Sequence, residues 1–265
     1  MSSTIHPTIT SCLGRLAGLL CSLAFTWGSN PVLAESHDEL LKRGDTLDIQ
    51  LHAKEALECF LEVEKAQPQN AAVLVKIARQ YRHLMADAEG ESEKLKLGQK
   101  ALEYGKRAAS MAPQNSDAQL SCAISYGKML PLMGKRDQVS WSRLIKEGAE
   151  RAIKLDERND LAWHILGRWH HNVANVGTVT RALASMIYEK LPDASNEDAV
   201  RCLEHAIRVN PNRLMHYIEL GRTYADMGNE TEARRYLERG LSMPCVDKDD
   251  PGMKAAGREA LQALR

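Results

Sequence analysis

Large and small apolar positions return along this chain with one spacing, five times over. In each recurrence an aromatic or leucine is followed by a second aliphatic, a glycine or alanine, and a further large residue. That is the stripe of one amphipathic helix. A second stripe of the form Ala-x-x-x-large-x-x-Ala follows and ends near a proline. The pattern is plainest at Tyr217, Leu220, Gly221 and Tyr224, continued by Ala233, Leu237 and Gly240. It recurs at Trp163, Leu166, Gly167 and His170, completed by Ala199, Leu203, Ala206 and Pro211. The small residue lets two helices approach closely, and the large ones fill the space between turns. No stretch of useful length alternates with the period of a strand, so the pattern predicts an all-α chain.

The spacing resembles the tetratricopeptide helix-turn-helix repeat. A first unit starts at His37, with Leu40, Gly44, Leu47, Ala56, Phe60, Val63 and Pro68 in register. A second has Leu74, Ile77, Ala78 and Tyr81, resuming at Ala101, Gly105, Ala108 and Pro113. A third has Cys122, Ala123 and Tyr126, then Ile145, Ala149 and Ala152, with Glu157 where proline is usual. The second, third and fourth units exceed the 34-residue template by about 11, 10 and 20 residues, which predicts lengthened helices. In the fourth, Ala182, Leu183, Met186, Ile187 and Leu191 continue a helical stripe up to Pro192, and Ser195 with Asp198 resembles a capping box. Asp250-Pro251 predicts the start of a terminal helix over 251–264. The expected fold is an α-solenoid of about five helix hairpins with a C-terminal capping helix, because paired helices hide their apolar faces only by stacking.

Residues 1–34 stand apart from the repeats, which occupy 35–265. They hold one charge, Arg15, an apolar run from Leu16 to Trp27, a breaker at Gly28-Ser29-Asn30-Pro31, and Val32-Leu33-Ala34. Small residues ahead of Glu35 match a secretory cleavage site, so the segment reads as a signal peptide. In a bacterium this implies a periplasmic or secreted protein. An uncleaved N-terminal membrane anchor is the alternative, although the run is short against the ~20 residues of a span.

Lys+Arg and Asp+Glu balance at 35 each, so no global field draws the chain to nucleic acid. The aromatic content, 5%, suits Ala/Leu helix packing better than base stacking. Cys59, Cys122, Cys202 and Cys245 each fall in a different repeat with no Cys-x-x-Cys pair, and read as separate small hydrophobes. Phosphate-loop, dinucleotide, nucleophile-elbow and zinc-helix motifs are absent, so neither enzyme activity nor a cofactor is expected. His164, His170 and His171 form the one histidine cluster, and packed or solvated histidines account for it better than a metal site. Acidic pairs such as Asp249-Asp250 read as solubilising charges in connecting segments.

One arrangement rises above this background. The ninth position of three first helices, which faces the inner groove of such repeats, is Arg79, Arg168 and Arg222. Other groove positions add Arg82, His83, Lys128, His164, His171 and Asn172. A neutral chain thus turns a basic face inward. Guanidinium groups take carboxylate or phosphate bidentately, so the expected ligand is acidic. The plain alternative is that glutamates of adjacent helices pair these cations, or that water does.

The segment Asn159-Asp-Leu-Ala-Trp-His-Ile-Leu-Gly-Arg-Trp-His-His-Asn-Val-Ala-Asn175 resembles the regulator of microtubule dynamics family, with its Leu-Gly-Arg-Trp hallmark. Arg181-Ala-Leu-Ala-Ser185, Leu191-Pro-Asp-Ala-Ser195 with Glu197-Asp-Ala199, Met243-Pro-Cys-Val-Asp-Lys-Asp-Asp250 and Ser142-Arg-Leu-Ile-Lys-Glu147 extend the likeness over residues 37–264. The resemblance implies a tetratricopeptide-like protein, associated with microtubules in eukaryotic members. One membrane-anchored member tethers organelles and has been linked to lipid binding. This chain lacks that member's acidic two-phenylalanine tethering motif. The reading is therefore a non-enzymatic scaffold that binds an acidic protein or peptide segment in a basic groove, with microtubules as partners only in a eukaryotic setting. The alternative is a lipid- or small-molecule carrier, taking phospholipid into a cavity lined by Leu183, Met186 and Ile187.

Overall fold

The structure, a computed structural model, describes residues 35–178, 181, 182, 186 and 193–264. Among these residues there are eleven α-helices and no strand. They are α1 (His37–Ile49), α2 (Ala53–Ala66), α3 (Ala71–Asp87), α4 (Glu91–Met111), α5 (Ser116–Met129), α6 (Lys135–Leu155), α7 (Asp160–Ala174), α8 (Asn196–Val209), α9 (Leu214–Asp226), α10 (Glu230–Ser242) and α11 (Asp250–Ala263). A 3-10 turn, Leu130–Leu132, extends α5.

Several helices start where the sequence supplies a side-chain cap. Asn70, Asn115 and Asn159 accept from the N–H groups of Val73, Ala118 and Ala162, and so open α3, α5 and α7 alike. Ser36 and Glu39 form a full capping box at α1. At α8 only half of the expected box is made. Ser195 accepts from the Asp198 N–H, and the Asp198 carboxylate takes the Ser195 hydroxyl, not the backbone.

Odd and even helices pair as hairpins, and each even helix packs on the next odd one. The odd helices α3, α5, α7 and α9 also touch in succession and make the inner row. The extra residues of the second and third units go into helix length, since α4 and α6 each span 21 residues. The stripe at Leu183, Ile187 and Leu191 lies outside the described residues.

Apolar clusters follow one another along the stack, around Phe60 and Leu74, around Ile145 and Trp169, and around Leu214 and Leu237. The hairpins close through the small residue of the first helix meeting the large one of the second. A Cβ added at Gly44 would lie 2.5 Å from the Phe60 ring, one at Gly167 2.7 Å from Leu203, and one at Gly221 2.7 Å from Leu237. The terminal helix α11 covers α9 and α10, with Gly257 set against Ile218. Its predicted start is shifted by one residue, to Asp250.

Candidate functional site: the inner helix row

The cations expected in the groove lie on the inner row, and most are already engaged. At the N-terminal end, Arg79 of α3 donates from Nε to Asp48 of α1 at 3.2 Å and from Nη2 to Asp247 at 3.2 Å. Gln80 donates to the same Asp48 at 2.9 Å, and Lys76 pairs with Asp45 at 2.5 Å. His83 lies 3.6 Å from Asp48 and 3.9 Å from Asp247. Burial and the neighbouring Arg79 push its pKa down to about 4, outweighing the two aspartates, so it is neutral near pH 7. Lys128 of α5 pairs with Asp249, and Lys248 with Asp87 at 2.7 Å.

At the C-terminal end, Glu219 of α9 is fully buried and collects three partners. His171 Nδ1 is 2.9 Å from it, Arg222 Nη1 3.1 Å and Arg168 Nε 4.0 Å. Burial alone would raise the Glu219 pKa. His171, Arg168 and Arg222 overcome that and hold it at about 2. The second nitrogen of His171 sits 2.7 Å from Asp226. Burial opposes charging His171, but the two carboxylates win and raise its pKa.

Four expected groove residues, Arg82, His83, His164 and His171, are interior instead. Arg82 is buried and donates to the hydroxyls of Ser121 at 3.2 Å and Ser125 at 3.3 Å on α5. Burial lowers its pKa to about 10, so it stays charged. His164 is fully buried and meets His216 with 3.1 Å between their Nδ1 atoms, while His216 Nε2 lies 2.9 Å from Asp160. His171 is enclosed by Glu219 and Asp226 as above. The physical reason is common to all four. Successive inner helices stand close enough for a side chain one turn from the groove mouth to reach the neighbouring helix before it reaches solvent. Asn172 is exposed, and Arg168 and Arg222 keep 44% and 37% of their side chains open.

Asp160, Glu219 and Asp247 are residues that pattern reading passed over. The Glu219–Arg222 spacing of three was a local signal. Asp247 gave none, and Asp249 and Asp250 correct the reading of that pair as solubilising charges: Asp249 pairs with Lys128, and Asp250 is 1% exposed. Its carboxylate accepts from the N–H groups of Val246 and Asp247 at 2.7 and 2.8 Å.

Between α3, α5, α7 and the start of α9 the inner face hollows into a cleft of about 530 Å³. Lys76, Arg79, Arg82, Arg158 and Arg213 line it against Asp48, Asp117, Asp156 and Asp160, so its charges are largely balanced. Among the described residues no group of three His, Cys, Asp or Glu side chains is arranged to hold a metal ion. No described helix is long and apolar enough to cross a membrane. Leu183 and Ile187, two of the three expected cavity residues, lie outside the described residues, and Met186 is exposed.

Stacked hairpins with a polar inner row and a terminal covering helix define a tetratricopeptide-repeat-like α-solenoid. A thermophilic TPR protein of Thermus thermophilus shares this fold, with a TM-score of 0.61 at 18% identity over 86% of this chain and 100% of that one. Residues 33–265 match the family model for Regulator of microtubule dynamics protein 1-3. The chain belongs to that family. Regulator of microtubule dynamics protein 3 of Xenopus laevis is 26% identical over 91% of this chain and 52% of its own length. Regulator of microtubule dynamics protein 1 of Bos taurus is 26% identical over 86% of this chain and 71% of its own length. The chain thus spans about half of the frog relative and about seven tenths of the bovine one. Trp169 has a packing role: it is buried and donates to Ser142 of α6 at 2.8 Å.

Proposed function

We propose that this chain is a non-enzymatic interaction scaffold that holds an extended acidic partner segment along its inner helix row, at the edge formed by Arg168 and Arg222. One observation carries the reading. Both arginines pair with the buried Glu219, Arg222 at 3.1 Å and Arg168 at 4.0 Å, yet both keep more than a third of their side-chain surface open. A guanidinium fixed on one side and open on the other is preorganised for a second carboxylate. Around Glu219, Arg168, Arg222 and His171, whose pKa is raised, face the carboxylates of Glu219 and Asp226. The names of the relatives connect them with microtubule dynamics, and acidic protein tails are the chemistry this edge fits.

Residues 1–34 are proposed as a leader removed ahead of Glu35, which puts the mature chain outside the compartment of synthesis. N-terminal sequencing of native protein checks this; a chain still beginning at Met1 overturns it.

The groove reading is tested by fluorescence anisotropy with an acidic peptide and a neutral one of equal length. Loss of two charge-assisted contacts in Arg168→Gln plus Arg222→Gln should weaken acidic-peptide binding by ~10-fold or more. Equal affinity of wild type and variant overturns the proposal. Glutamine is chosen because His171 still holds Glu219 in the variant.

A further inference from the structure

The other end of the groove already contains an acidic segment, and it is the chain's own. The connection between α10 and α11 crosses to α3 and α5, which are distant in sequence. Asp247 takes a hydrogen bond from Arg79 at 3.2 Å, Asp249 pairs with Lys128, and Lys248 reaches Asp87 at 2.7 Å.

This connection is built to present those carboxylates. Asp250 holds the N–H groups of Val246 and Asp247, Asp247 accepts from the Asp249 N–H at 3.2 Å, and Lys254 donates to the Met243 carbonyl at 2.5 Å. Arg82 supplies a second, independent observation. Its guanidinium is buried among serine hydroxyls and, among the described residues, makes no ion pair with a carboxylate; Asp249 and Asp247 are the acidic groups that act on it through space. A buried cation of this kind requires negative charge nearby. The loop supplies it.

We propose that the Arg79–Lys128 end of the inner row is a docking site for an Asp-x-Asp segment, occupied in cis by residues 247–249. The loop acts as an internal competitor, and an acidic segment from another protein binds there only after displacing it. The site is separate from the Arg168–Arg222 edge and does not depend on it. A closed fraction lowers apparent affinity in proportion, so a groove open one time in about ten shows binding about tenfold weaker than its open form.

The probe is a fluorescein-labelled peptide copying residues 243–250, with Cys245→Ser to prevent oxidation, titrated into the full chain. Wild type should bind it weakly. Asp247→Asn plus Asp249→Asn should bind about tenfold more tightly. Adding Arg79→Gln and Lys128→Gln should cancel the gain. Lys248→Glu, which sets the loop against Asp87 with both aspartates intact, is a second opening variant in case the double one fails to fold, and it should show the same gain. Equal affinity of wild type and a folded opening variant, or a gain that survives loss of Arg79 and Lys128, overturns the proposal. Arg168→Gln plus Arg222→Gln leaves the gain unchanged, so this test and that of the other edge fail separately.

Discussion

His171 and Glu219, 48 residues apart, meet at 2.9 Å in the interior and tie α7 to α9. Glu219 is an anion without water, and it is held by its cationic neighbours. Glu219→Gln should destabilise the protein by roughly 3–5 kcal/mol, as breaking a buried pair does. Urea unfolding measures it.

The same pair sets a pH window. The Glu219 pKa is lowered on folding, so its stabilisation is complete above about 4.5 and is lost as pH falls toward about 2. The His171 pKa is raised, so its stabilisation is complete below 6.5 and fades as pH rises through the raised value. His171→Gln should therefore cost most stability between pH 4.5 and 6.5, with the difference from wild type shrinking above that range. Thermal unfolding at a series of pH values reads this directly.

His164 and His216 have the opposite sign. Burial lowers both pKa values, so the unfolded chain binds more protons than the folded one below pH 6.5. The pair thus withdraws stability on acidification. His164→Phe should reduce the stability lost between pH 6.5 and 4.5 relative to wild type, whatever its effect at neutral pH. An unchanged slope would remove His164 from the account.

Gly221 and Gly44 occupy equivalent places but differ in what surrounds them. A Cβ at Gly221 would lie 2.9 Å from the backbone nitrogen of Leu237, whereas at Gly44 the three closest atoms all belong to the Phe60 ring. Side chains can turn aside; a helix backbone cannot do so without moving. Gly221→Ala should cost about 1–3 kcal/mol, and more than Gly44→Ala. Comparison of urea midpoints checks the order.

The hairpins were legible because Gly44, Gly167 and Gly221 recur with large partners, Phe60, Leu203 and Leu237, at one template spacing apart from the insertion of the fourth unit, and that complementarity is what packs. The lengths of α4 and α6 were legible from the residue count, since about ten extra residues make about three turns of helix. The groove was legible only in part. Helical spacing places Arg79, Arg82, His164, Arg168, His171 and Arg222 on the inner row, but how deep each lies depends on how closely the next helix stands. Spacing does not encode that distance. The acidic loop was further out of reach, since Asp247 and Asp249 meet Arg79 and Lys128 across 168 and 121 residues. Local sequence marks Asp250 as a helix start, and only the folded chain shows it buried as the acceptor of two backbone N–H groups.

The central claim is that Arg168 and Arg222 receive an acidic partner. The side-chain Nε–Hε resonances of arginine report it residue by residue in a titration with an acidic peptide. The account predicts saturable shifts at Arg168 and Arg222 and none at the exposed Arg234 of α10. Uniform shifts at all arginines, or silence at Arg168 and Arg222 while the peptide binds, would contradict it.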